Sequence, residues 1–186
     1  MTVCVDFSFF AVVTVLILCS NTVYSVYSMY ACFLHEAGHL FMMLATGQKV
    51  KKLVFYGAGI KIIPSKNCET EQFVREILVL GAGCSVNFAV YLFLASSEQL
   101  SAFGTVNLAI GLFNALPLFF LDGGKIIIQC FYRFFRFEKA VIFEKGLKNI
   151  SAIIIIAAAA LMCSAGMGNF TIYITLIFLL ITSLLM

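Results

Sequence analysis

The chain has 186 residues, of which 62% are hydrophobic and 11% charged, with a mean hydropathy of +1.06 and a net charge of +3. Soluble domains run at roughly half apolar and about a quarter charged, so the composition excludes a soluble globular protein and makes lipid the solvent. A nucleic-acid partner is excluded too, because the basic residues sit in two short stretches and build no basic face.

A hydrocarbon core of about 30 Å takes about 20 apolar residues per helical crossing. The apolar runs predict an all-α integral membrane protein of six crossings: Phe7–Cys19, Val23–Ala45, Phe73–Ala95, Ala102–Leu121, Ile150–Cys163 and Phe170–Met186. The N-terminus has Asp6 as its one charge and no small-residue cleavage site, so the first crossing is expected to be retained rather than removed as a signal peptide. All twelve Lys and Arg residues fall in Lys49–Arg75 or Lys125–Lys148, and the opposite connections carry only Glu98. The positive-inside rule then puts both termini in the cytoplasm.

Two stretches interrupt the helical pattern. Leu53–Pro64, rich in β-formers around Gly57-Ala58-Gly59, predicts a short membrane-associated β-hairpin; the alternative is an amphipathic loop on the bilayer surface. Its strand edge can receive an unwound peptide by β-addition, which makes Phe55, Tyr56, Gly57 and Gly59 candidate substrate contacts. Asn114–Gly124 holds Pro117 within the fourth span and ends in Gly123-Gly124. Proline removes a backbone donor, and non-helical backbone at membrane depth is tolerated only against protein or a water-filled cavity. The fourth span is therefore expected to be broken near Pro117.

Both histidines of the chain lie in His35-Glu36-Ala37-Gly38-His39. On a helix, positions i and i+4 share a face, so both imidazoles reach one ion, and Glu36 sits one residue round the turn, where it can take a proton from water at the metal. Ionisable groups inside a span are costly and usually functional. Catalytic zinc takes three protein ligands and keeps one position open. Of the nine acids, only Asp122 ends a broken span on the same cytoplasmic half as His39. Asp122 also suits a helix N-cap; the histidine pair favours the ligand role. His39 lies about 15 Å of helix before Lys49, whereas Asp122 is close to Lys125, so their meeting requires Pro117 to unwind the chain and Lys125 to snorkel. The seven cysteines are scattered, never spaced as CxxC, and read as small apolar fillers.

With HEAGH in one span and NALPLFFLDGG further along, the chain closely resembles the site-2 protease family of intramembrane zinc metalloproteases. It is most similar to the compact branch that includes the sporulation protease processing a pro-sigma factor. The resemblance runs from about Leu34 to Ile128. It implies one Zn2+ held by His35, His39 and Asp122, Glu36 as general base, and Asn114 on the substrate carbonyl or developing oxyanion. Gly83-Cys84-Ser85-Val86-Asn87 matches the family's GxxxN stretch, and Asn87 is taken as a substrate contact. Phe120 and Cys84 stand where the family pattern has prolines. The chain is expected to form a single membrane protease domain with its catalytic core at about 23–136, with neither a PDZ insertion nor a nucleotide-sensing domain. The implied partners are the lipid bilayer, a membrane-tethered regulator such as a pro-sigma or anti-sigma factor as substrate, and a regulatory membrane protein; the implied location is the bacterial cytoplasmic membrane. A serine or aspartyl intramembrane protease lacks the residues it needs. The remaining alternative is an inactive or transport-type membrane protein with a structural metal.

Overall fold

The computed structural model describes residues 2–5, 23–47, 50–56, 59–64, 72–96 and 102–164. The expected crossings at Phe7–Cys19 and Phe170–Met186, and Gly57 of the expected turn, lie outside them. In chain order the elements are β1 (Thr2–Val5), α1 (Val23–Ala45), β2 (Val50–Tyr56), β3 (Gly59–Pro64), α2 (Gln72–Ser96), α3 (Ala102–Ala115), α4 (Asp122–Phe134) and α5 (Phe137–Ser164). They fall into two compact units, Met1–Asn114 and Ala115–Met186. Among the described residues one stretch, Phe73–Ser96, is long and apolar enough to cross a membrane by length and composition.

In the first unit, α1 lies tightly along α2. A Cβ on Gly38 would stand 2.8 Å from the Ala82 carbonyl oxygen and 2.9 Å from Val86 Cγ2, so a glycine on α1 and an alanine on α2 let the two backbones approach. Tyr27 of α1 meets Phe103 of α3 edge-on at 5.6 Å. The three strands form one sheet in the order β1-β2-β3, with β1 parallel and β3 antiparallel to the central β2. The parallel partner β1 was not anticipated. It changes the role open to β2, because Phe55 is paired with Val5 on one side and Ile60 on the other. β3, which approaches α1, is an outer strand.

The second unit begins with the break. α3 stops at Ala115 because Pro117 cannot donate and disfavours helix in the residue before it. Two short bonds carry the chain round, Leu118 N–H to Leu116 O at 2.8 Å and Leu121 N–H to Leu118 O at 2.9 Å. Lys125 N–H then bonds Leu121 O at 3.0 Å and α4 begins. α5 packs back on α4 through Phe131, which stacks on Phe143 with ring centroids 3.6 Å apart, and through the Tyr132 hydroxyl, which donates to Glu144. α5 starts thirteen residues before the expected span at Ile150. Its first turns carry Glu138, Lys139, Glu144, Lys145 and Lys148, which a hydropathy reading assigns to a loop.

The packing is inverted relative to a soluble protein. Among the described residues the largest fully buried side chains are Asn87, Asn107 and Ser151, while Phe41 is 71% and Phe93 73% exposed. In water the large apolar groups go inside. In lipid they gain nothing by doing so, and small residues and hydrogen bonds hold the helices together instead.

Candidate metal centre

The helix α1 brings His35 and His39 one turn apart on a buried face, at 4% and 7% exposure. Their Nε2 atoms lie 3.2 Å apart, with the rings nearly perpendicular at 88°. Each ring is held through its other nitrogen. His39 Nδ1 donates to the Val79 carbonyl at 2.6 Å, an acceptor and nothing else, which puts the proton on Nδ1. His35 Nδ1 meets Asn87 Oδ1 at 2.8 Å.

The direction of that second bond follows from its neighbours. Asn87 Nδ2 donates to Ala31 O at 3.1 Å and to Asn107 Oδ1 at 2.9 Å, and Asn107 Nδ2 donates to Phe103 O at 2.9 Å. Both backbone oxygens are pure acceptors, so each amide has one permitted orientation, and Asn87 presents oxygen to His35. Both histidines therefore carry Nδ1–H. Their Nε2 atoms are thereby turned toward each other. Two imidazoles on one tetrahedral zinc, at about 2.05 Å each, have nitrogens about 3.3 Å apart. The pair fits the metal that the motif implies.

The wall facing the pair is α2. A Cβ on Gly83 would stand 2.5 Å from His39 Nε2 and 2.7 Å from His35 Nε2, so the room for the two nitrogens is the missing side chain of this residue. Cys84, the next residue, is buried, with Sγ within 4.8 Å of a ring nitrogen of His35. Glu36 is half-buried on α1, one residue beyond His35.

Asn87 was expected to contact substrate. It is 0% exposed and binds His35, so its amide orients that imidazole. Phe55 and Tyr56 were expected at an open strand edge, but they lie on the central strand, with Tyr56 opposite Gly59. Among the described residues β3, which Gly59 begins, is an outer strand of the sheet. Asn114, in the last turn of α3, is half-buried and donates its Nδ2 to Ile110 O at 3.1 Å within its own helix.

In the second unit Asp122 opens α4. Leu121 occupies the N-cap position and no side chain caps the helix, so Asp122 is not the cap that its place in the sequence also allowed. It lies in the first turn at 6% exposure, where the helix dipole favours an acid, and Lys125 Nζ is 3.6 Å from its Oδ1. The two glycines after it fit the turn against the break. A Cβ on Gly123 would be 2.2 Å from Ala115 O, and one on Gly124 would be 1.9 Å from Leu118 O. The break is pinned from behind by Ser151, fully buried on α5, whose Oγ accepts Phe119 N–H at 2.9 Å and donates to Leu147 O at 2.7 Å.

Sequence reasoning missed Asn107 and Ser151 as parts of this machinery, and noted Gly83 only within the stretch matched to the family. For Asn107 a signal existed, since an amide in an apolar span needs a partner. For Ser151 nothing local marked the role.

A model of Peptidase family M50 matches residues 85–158, a segment that contains Asn114 and Asp122 and lies beyond the histidine motif. That family is zinc-dependent in general. No curated protein matches the chain. Among solved structures the chain is similar to the site-2 protease from Methanocaldococcus jannaschii, at 21% identity and a TM-score of 0.65 over 97% of this chain and 88% of that one. The family match falls on the Asn114–Asp122 half of the sequence, and the shared fold spans nearly all of it. The chain thus shares its fold with a site-2 protease and carries, in its second half, a segment similar to Peptidase family M50.

Proposed function

We propose that the protein is an intramembrane zinc endopeptidase of six crossings in a bacterial cytoplasmic membrane, with both termini in the cytoplasm. His35, His39 and Asp122 are the metal ligands. The observation that carries this reading is the pair of buried Nε2 atoms 3.2 Å apart, a spacing that suits two ligands of one zinc, with each ring held through Nδ1. Asp122 completes the set on the strength of its motif and of its place as a buried acid in a first helical turn that it does not cap.

When bound, zinc makes water acidic enough to ionise near neutral pH. Glu36 holds the proton taken from that water and returns it to the leaving amine. Asn114 is assigned to the substrate carbonyl, which requires its amide to exchange the intrahelical bond to Ile110 for the substrate. A substrate helix hides its carbonyls in its own hydrogen bonds and must unwind first. The outer strand β3, close to the histidine helix, supports pairing with the unwound segment. The substrate class is a membrane-tethered regulator, such as a pro-sigma or anti-sigma factor, cut near the cytoplasmic face, and a regulatory membrane partner is part of the same reading.

The test is metal content and cleavage measured on the same detergent-purified protein. Wild type is expected to carry about one zinc per chain and to cut a membrane-tethered substrate. Glu36→Gln is expected to keep the metal and to lose cleavage by a factor on the order of 10² to 10⁴; Asp122→Ala is expected to lose the metal. Undiminished zinc in Asp122→Ala would remove that ligand from the account. Zinc with no cleavage in the wild type would favour a structural metal in an inactive or transport-type protein.

A further inference from the structure

We propose that Cys84 is a zinc ligand of the substrate-free enzyme, its thiolate joining His35 and His39 so that α1 and α2 supply three of the donors. The inference rests on the zinc reading above and adds a fourth donor to it. Cys84 is 8% exposed and its Sγ lies within 4.8 Å of a His35 ring nitrogen. A second observation is independent of the thiol: the two buried Nε2 atoms lie 3.2 Å apart, close to the spacing of two imidazoles on one tetrahedral zinc. A third locates it relative to α2. Gly83 is the point where that helix presses on both nitrogens, so the next residue enters the site from the same turn.

The chemistry suits the distances. Zinc takes thiolate sulfur at about 2.3 Å and imidazole nitrogen at about 2.0–2.1 Å, which puts two such ligands about 3.6 Å apart on a tetrahedral ion. A rotation about the Cys84 side chain covers what remains of the 4.8 Å limit. Binding replaces the S–H bond by an S–Zn bond and releases one proton to solvent, with no change of oxidation state. A thiolate there occupies the position that catalysis needs open, so the substrate-free enzyme is held closed until the sulfur is displaced. Three donors from two packed helices also retain the metal through that exchange.

Cobalt substitution reads the donors directly. The full chain loaded with Co2+ is expected to show visible bands of tetrahedral cobalt together with the near-ultraviolet absorption of sulfur-to-cobalt charge transfer. Cys84→Ser and Cys84→Ala are each expected to lose the charge-transfer band and keep the visible bands, and Cys130→Ser, on α4, is expected to keep both. Visible bands without charge transfer in the wild type would overturn the ligand role of Cys84 and leave the zinc reading intact. Charge transfer that survives in both Cys84 variants would overturn it as well. Failure of the wild type to bind cobalt at all would overturn the zinc reading, and this proposal with it.

Discussion

The two units hold their key side chains by different means. In the first, the imidazoles are fixed by other side chains and by a backbone carbonyl reached across a helix interface: Asn87, itself tied to Asn107, and Val79. In the second, the acid is placed by the course of the backbone, with glycines against bare carbonyls and a serine pinning the turn. Side-chain support adjusts when a neighbour changes. Support from crowded backbone cannot, and it fails as folding rather than as loss of a ligand.

The same substitution on each side exposes that contrast most sharply. In Gly124→Ala the new Cβ meets backbone that cannot move, and the destabilisation is expected at or above the ~3 kcal/mol upper range of ordinary overpacking, read by unfolding in detergent. In Gly83→Ala the Cβ meets the far ends of two imidazoles. Those can rotate away, so the chain is expected to fold and to lose zinc affinity by about 10–100-fold or more, as misoriented ligands do. If both variants unfolded alike, the distinction between the units would fail.

Asn87→Ala sharpens the first half of the comparison. It removes the acceptor for His35 Nδ1, and zinc affinity measured against a competing chelator is expected to drop about 10–100-fold. Ser151→Ala sharpens the second half. It strands the Phe119 N–H and is expected to lower stability by about 1–3 kcal/mol.

The smallest effect lies outside the spans. The hydrogen bond to Glu144 holds the Tyr132 hydroxyl above the ordinary tyrosine range, with burial and the carboxylate charge acting the same way. A raised value in the folded state means that this contribution is complete below the unfolded tyrosine value and is lost as the pH rises through the folded one. Glu144→Gln is expected to bring the tyrosinate absorbance change of one tyrosine to lower pH, with stability at neutral pH nearly unchanged.

Much of this was legible in local patterns. Val23–Ala45 was bounded as a helix from hydropathy, and α1 has those bounds. Pro117 announced the end of α3, and the i, i+4 spacing put His35 and His39 on one face. What escaped depended on partners distant in the chain. Nothing near Thr2–Val5 announces that it pairs with Lys52–Phe55, and that pairing decides which strand of the sheet is outermost. Asn87 was matched to a family stretch and given to the substrate, because a motif records which residue stands at a position and not which way its amide faces. The helical start of α5 at Phe137 was hidden because Glu138, Lys139 and Glu144 lower the hydropathy of a segment that packs on α4.

The row of amides behind His35 has a direction. Each donates toward α3 and accepts from the histidine side, from Phe103 O through Asn107 and Asn87 to His35 Nδ1. Inverting any one of them would set donor against donor and acceptor against acceptor at its junctions. The imidazole thus turns only at the cost of its hydrogen bond to Asn87, and a displacement of α3 would be felt at His35 as a loosening of its aim. A motion some distance away is in this way written into the orientation of one imidazole of the histidine pair.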